Sequence, residues 1–177
     1  MGVKKTYVAF LRGINVGGHH KVPMKNLREE LEKINFKNCT TILNSGNVVF
    51  ESDENHLENR ISEHLEKTFG FPIPTLVRTR EMIIGLLHLD PFKDVEVSKE
   101  IRLYVSFLKD DNSAQVKLPW ISQDKAYRII GKTNKTIFSV IDLSLANTPS
   151  AMAVLEKFYG KEITTRNWNT IERIGKY

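Results

Sequence analysis

The residues best suited to chemistry lie in a glycine-rich stretch near the start of the sequence, residues 10–24. Three glycines there let the backbone take a positive φ and turn its N–H groups towards one point. Arg12 and Lys21 flank the glycines, and Pro23 suits the first position of a helix. An apolar strand, a glycine loop and a helix N-terminus in this order make a candidate binding site for a phosphate or carboxylate. The sequence assigns no reaction to it, so enzymatic activity is left open.

Two other polar clusters are candidates for the same site. Residues 44–47 form a hairpin-turn signal between two predicted strands, where Ser45 and Asn47 either make the turn or face the glycine loop. Residues 164–170 surround a single tryptophan, which either plugs an interface or offers a stacking platform beside the loop. The predicted ligand-binding residues are Arg12, Asn15, Gly17, Gly18, Lys21, Ser45, Asn47, Arg166, Asn167 and Trp168.

Several familiar sites are excluded by residue type and spacing. The glycines match neither the dinucleotide-binding fingerprint nor the Walker A loop. Ser45 lacks the G-x-S-x-G context of an acyl-transfer nucleophile. Adjacent His19 and His20 would point apart, and Cys39 lies elsewhere, so neither a metal nor another cofactor is predicted.

Three motifs in this sequence resemble a bacterial family, domain of unknown function 1697. They are residues 11–24, a Ser-Gly-Asn-Val-Val-Phe segment at 45–50, and Thr-Thr-Arg-Asn-Trp-Asn-Thr at 164–170. The resemblance implies two α+β domains in a cytoplasmic bacterial protein. It brings no catalytic residue, because the family has no assigned activity.

Composition limits the class of protein and its partners. With 177 residues, 41% hydrophobic and 27% charged, the chain is typical of a soluble globular protein. No apolar run approaches the ~18–20 residues that span a bilayer, and the start lacks the features of a signal peptide, so no membrane partner is expected. Cys39 is the only cysteine, which favours a reducing compartment and hence the cytoplasm.

Charge is distributed unevenly along the chain. The net charge is +5, and residues 1–28 contain six Lys or Arg side chains but no Asp or Glu. A region without carboxylates attracts anions. The plain alternative is a solvated basic face balanced by the glutamates that follow.

The first half has the element order β-α-β-β-α-β plus a helix, typical of a ferredoxin-like unit. The predicted strands are 6–11, 40–43, 48–52 and 73–78. The first predicted helix is 23–35 and the third is 79–88. The second predicted helix lies between them, is capped by Ser52 or Asp53 and ends at Gly70. The topology predicts antiparallel strands in the order 4-1-3-2. The glycine loop and the 44–47 turn should therefore meet at one edge of the sheet. The first strand is apolar on both faces, so both should be covered.

The second half repeats this order imperfectly. Its first predicted element is a strand at 101–107, followed by an irregular segment at 110–124 that contains a helical turn at 113–116. A hairpin of strands 127–131 and 136–143 comes next. The last two predicted elements are a helix capped by Thr148 and a helix at 166–174 capped by Thr165. No repeat of individual residues is predicted. The fold class is α+β, with two ferredoxin-like-related α/β-sandwich halves, antiparallel or mixed sheets and an irregular second half. The predicted domains are 1–92 and 93–177.

The leading functional hypothesis is binding of a small anionic ligand at the glycine-loop edge. One alternative is a nucleic-acid-binding module that stacks bases on the strand aromatics Tyr7, Phe10 and Phe50. Another is a non-enzymatic subunit of an assembly. The oligomeric state is not predicted.

Overall fold

A computed structural model of the chain describes residues 3–111 and 116–177. The first elements are β1 (Lys5–Leu11), α1 (Met24–Lys33), β2 (Lys37–Ile42), β3 (Asn47–Ser52), α2 (Leu57–Phe69), β4 (Thr75–Thr79) and α3 (Arg80–Leu89). They are followed by β5 (Ile101–Leu108), β6 (Trp120–Ile121), β7 (Tyr127–Thr133), β8 (Thr136–Asp142), α4 (Thr148–Tyr159), β9 (Ile163–Asn167) and α5 (Trp168–Ile174). The predicted α+β class with antiparallel sheets is confirmed.

The first sheet has the strand order β2-β3-β1-β4 with every neighbouring pair antiparallel, as the element order predicts. One face packs against α1 and α2 through a core that includes Ala9, Leu11, Leu27 and Ile61. The opposite face of β1 is buried as well, since Val8 and Phe10 have no exposed surface. A central strand with two apolar faces is therefore buried on both.

Two compact units divide the chain. The first comprises the residues up to Gly85 together with Glu172–Tyr177, and the second is Leu86–Ile171. The terminal segment joins the first unit through Arg80, whose Nε donates to the carbonyl of Tyr177 at 2.8 Å. The predicted domain bounds, 1–92 and 93–177, stay a prediction.

The second unit contains a sheet in the order β6-β7-β8-β5-β9. Without the short edge strand β6, this order is that of the first sheet, with β7, β8, β5 and β9 in place of β2, β3, β1 and β4. Helices α2 and α4 also correspond, and both end at a glycine with positive φ, Gly70 (79°) and Gly160 (83°).

The two units share one short sequence segment in equivalent strands, although no wider repeat of individual residues is predicted. Tyr-Val-Ala-Phe-Leu of β1 corresponds to Tyr-Val-Ser-Phe-Leu of β5. In each unit the second residue of this segment lies opposite a buried arginine, Val8 opposite Arg78 and Val105 opposite Arg166. Pairing with β3 and β8 keeps the same register. Five residues alone would be weak support, but the identical register on both sides of the strand shows that β1 and β5 occupy equivalent positions in the two sheets.

Several predicted boundaries are corrected by local hydrogen bonds. Helix α2 has His56 at its N-cap, because Ser52 Oγ instead accepts from the N–H of Glu54 at 3.1 Å in the preceding turn. Helix α4 is capped by Asn147 and not by Thr148. Pro23 is the N-cap of helix α1 and not its first residue, so the helix begins at Met24, one residue later than predicted.

The final segment differs most from its prediction. The structure has strand β9 at Ile163–Asn167, and only Trp168–Ile174 is helical. Ile163 and two threonines are β-branched and pair with β5, which explains why strand geometry prevails over capping by Thr165. The sequence also does not predict β6. The helical turn predicted at 113–116 falls mostly on residues 112–115, outside the described residues.

None of the helices within residues 3–111 and 116–177 has the length and apolar character needed to cross a bilayer.

Candidate functional site

The glycine loop leaves the first sheet at a position fixed on both sides. The N–H of Leu11 donates to the carbonyl of Gly46 at 2.8 Å, and the N–H of Arg12 donates to the carbonyl of Pro74 at 2.9 Å. Arg12 thus begins the loop between the 43–46 turn and the entrance to β4. The predicted meeting of loop and turn at one sheet edge is confirmed by these contacts.

Asn15 ties the two ends of the loop together. Its Nδ2 donates to the carbonyl of Val22 at 3.0 Å and to the carbonyl of Asn44 at 2.9 Å. Its Oδ1 accepts from the N–H of Val22 at 2.8 Å. Asn15 was predicted to orient a ligand, but these bonds give it the role of a brace between loop, turn and helix entrance.

The tip of the loop is a small hairpin. The N–H of His19 donates to the carbonyl of Val16 at 3.1 Å, with Gly17 and Gly18 between them at φ of 58° and 78°. Positive φ at both central residues is typical of a type I′ turn and favours glycine. A Cβ atom at either position would meet nothing within 4 Å. The two glycines are therefore needed by the turn, and their N–H groups lie at an open tip.

The space directly beneath the turn is filled by apolar atoms. Ile14 is buried, and a Cβ added at Gly46 would lie 2.8 Å from its Cδ1 atom. Asn47 is fully buried, and its Nδ2 donates to the carbonyl of Ile42 and to Ser45 Oγ, both at 2.9 Å. Asn47 therefore braces the turn. The loop and the turn are packed against each other here, so a ligand at this edge would have to bind on the outer side of the loop.

The first turn of α1 is open to an acceptor. Among the described residues, no side chain caps this helix, and its first turn contains no acidic residue. The first N–H groups of a helix need acceptors and carry partial positive charge. Lys21, two residues before the N-cap Pro23, is exposed and forms no ion pair with the described part of the chain. The name rim is used for three segments together: loop residues 12–22, turn 43–46 and the first turn of α1.

The predicted C-terminal candidates lie in the second unit. Arg166 is buried, and its Nη1 donates to Thr164 Oγ1 at 2.8 Å and to the carbonyl of Thr165 at 2.9 Å. Loss of hydration on burial lowers the pKa of Arg166 to about 10. Trp168 packs edge-on against Phe92 with ring centroids 5.2 Å apart. Arg166 and Trp168 are thus engaged inside their own unit, while Asn167 is exposed at the end of β9.

Sequence reasoning missed the ordered position of His20. Its Nδ1 lies 3.2 Å from the carbonyl oxygen of Gly13, and its ring stacks on Phe71 at a centroid distance of 4.3 Å and an angle of 16°. Phe71 is fifty-one residues away in sequence, so no local pattern could reveal the contact.

Other reactive groups do not form a site. Burial raises the pKa of the Cys39 thiol to about 12, so the nucleophilic thiolate is nearly absent near neutral pH. Within residues 3–111 and 116–177, no three His, Cys, Asp or Glu side chains come together as metal ligands.

Comparisons with known proteins give the family and the fold. The model of a family described as "Protein of unknown function (DUF1697)" matches residues 4–138, in agreement with the resemblance seen in the sequence. A conserved bacterial protein from Streptococcus pneumoniae, SP0830, has a similar solved structure, with a TM-score of 0.71 and 24% identity over 98% of each chain. At this identity the likeness shows the fold alone. The curated proteins contain no match to this sequence.

Proposed function

This chain belongs to the DUF1697 family, whose function is unknown, and we propose that its first unit binds a small phosphate- or carboxylate-bearing ligand at the rim. The observation that carries the proposal is the Asn15 brace. It joins the two ends of the loop that carries Arg12 and Lys21, and Lys21 lies two residues before the N-cap of α1, which no side chain of the described residues caps. Cationic side chains and helix N–H groups that lie close together are suited to an anion.

Each predicted residue of the first unit has a definite part in this proposal. Arg12 and Lys21 supply charge, and the N–H groups of Gly17 and Gly18 and the hydroxyl of Ser45 supply hydrogen bonds. Asn15 and Asn47 keep the loop and the turn in place. The proposal uses the first unit alone and keeps the cytoplasmic location predicted from the sequence.

The second unit provides a comparison within the same chain. Its strand end has the equivalent backbone bonds, Leu108 N to the carbonyl of Lys135 and Lys109 N to the carbonyl of Glu162. There, however, Lys109 pairs with Glu162 at 2.7 Å and Lys132 pairs with Asp111 at 2.6 Å. Residues 1–28 of the first unit contain no carboxylate at all. The lysines at this edge of the second unit are therefore paired with carboxylates, whereas residues 1–28 of the first unit supply none, which supports a role for the edge of the first unit.

A small ligand accounts for these features better than a nucleic acid. Phe10 and Phe50, on which base stacking would depend, are fully buried, and Tyr7 stacks on Phe50 with centroids 5.8 Å apart. The sheet aromatics therefore belong to the core of the first unit.

Calorimetric titration with ribose 5-phosphate, with ribose as the uncharged control, tests the proposal. We expect ribose 5-phosphate to bind and ribose not to bind, with a shallow fall in affinity between about 50 and 200 mM salt, because one phosphate is contacted. A single-stranded oligonucleotide serves as the second probe. If the logarithm of its binding constant falls steeply with the logarithm of the salt concentration, by about 0.7 for each of several contacted phosphates, the nucleic-acid alternative is favoured. Equal behaviour of ribose 5-phosphate and ribose would contradict an anion site.

A further inference from the structure

The ring of His20 indicates which class of anionic ligand the rim would bind. Resting on the anion site proposed above, we infer that the ligand carries a planar aromatic ring that stacks on His20, as the base of a mononucleotide does. The inference depends on how the ring is held, which of its faces is exposed and how close it lies to the cations of the rim.

The His20 ring is held by two contacts of different kinds. Its Nδ1 lies 3.2 Å from the carbonyl oxygen of Gly13, and since a carbonyl oxygen only accepts, Nδ1 carries the proton. One ring face lies on Phe71, which in turn lies near Phe69 with centroids 6.4 Å apart. Both phenylalanines pack against the core of the first unit. His20 is thus the outer end of an aromatic row that is anchored in the protein interior.

The remaining surface of the ring is open to solvent. His20 is classed among the exposed residues although Phe71 covers one of its faces. The exposed surface must therefore include the other face or the ring edge. Because the ring is already ordered, a ligand that stacks on it avoids most of the entropy loss that ordering a mobile side chain would cost.

The ring also lies close to the proposed anion contacts. The bond from His20 to Gly13 places it beside the residue that follows Arg12, and Lys21 is its neighbour in the chain. A phosphate held at Arg12 and Lys21 would leave an attached base within reach of this ring. The other aromatic side chains of the strands, such as Phe10 and Phe50, are buried. One platform beside one anion site fits a mononucleotide better than a polymer.

Adenosine 5′-monophosphate and ribose 5-phosphate serve as probes that differ by the base. We expect the nucleotide to bind wild-type protein about tenfold more tightly, because stacking of one base on an aromatic side chain has an effect of this order. The variant His20→Asn removes the ring, while asparagine tolerates the positive φ of 49° at this position and can still donate to Gly13. This variant should bind both compounds equally, with ribose 5-phosphate unaffected. His20→Tyr should restore the difference.

His19→Asn is the matched control, because His19 is exposed in the same loop and makes no aromatic contact within the described residues. It should retain the tenfold preference. Equal binding of both probes by wild type, or a preference that survives in His20→Asn, would overturn the stacking inference and leave the anion site standing. If His20→Tyr does not restore the preference for the nucleotide, the preference depends on the ring nitrogens of His20. The stacking inference would then be overturned as well. If neither probe binds wild type, the anion site itself fails.

Discussion

Replacing Gly46 with alanine is expected to lower the free energy of unfolding by about 2–5 kcal/mol. Gly46 has φ of 76°, where a side chain is strained, and the added Cβ would lie 2.8 Å from both Leu11 Cβ and Ile14 Cδ1. The end of Ile14 can rotate, but Leu11 Cβ is fixed to the backbone of β1. The turn would therefore have to move away from the loop. Denaturant unfolding of the variant and of wild type measures the effect.

Gly17→Ala is the control for this prediction. Gly17 also has positive φ, 58°, but a Cβ there meets nothing within 4 Å. Only the backbone strain of about 1–2 kcal/mol should remain. If the two substitutions destabilise the protein equally, the close packing of the turn on the loop is wrong, and with it the fixed geometry of the rim.

Replacing Arg12 with alanine is expected to weaken binding of ribose 5-phosphate by about 10- to 150-fold, because a desolvated bidentate contact to an anion is worth roughly 1.5–3 kcal/mol. The fold should survive, since the backbone N–H of Arg12 keeps its hydrogen bond to the carbonyl of Pro74 when the side chain is removed. Arg12→Lys should give an intermediate loss, as lysine keeps the charge but not the planar pair of donors. Calorimetry gives the affinities, and thermal unfolding without ligand checks the fold.

Arg28→Ala is the matched control for Arg12. Arg28 lies in the same carboxylate-free part of the sequence, but it sits on α1 and its Nε is 3.9 Å from Glu32. Its removal lowers the net charge equally without touching the rim. If Arg28→Ala and Arg12→Ala weaken binding by the same factor, the effect is one of overall charge, and Arg12 is no ligand contact.

The part of the fold that the sequence predicts well is the part with strong periodicity and clear breaks. The order β-α-β-β-α-β alone gives the arrangement of the first sheet, and that arrangement brings residues 12–22 to the 43–46 turn. Gly70 ends its helix as expected, because the positive φ of 79° there favours glycine. These features depend on local residue types and on topology.

What the sequence could not predict depends on contacts between distant residues. Strand β9 is hidden by capping residues that also suit a helix, and its pairing with β5 is decided by segments about sixty residues apart. Asn15 and Asn47 have the residue type of ligand contacts, yet their partners include backbone groups of Val22, Asn44 and Ile42. The stacking of His20 on Phe71 is of the same kind.

The central claim, that the rim of the first unit holds an anion, is tested most directly by the ¹H–¹⁵N spectrum of labelled protein titrated with phosphate. The account predicts saturable shifts of the backbone N–H signals of Gly17, Gly18 and the first turn of α1. The equivalent edge of the second unit, around Lys109 and Lys135, should not respond, because its lysines are already engaged. The anion site would be contradicted if the shifts are absent, do not saturate, or appear equally at both edges.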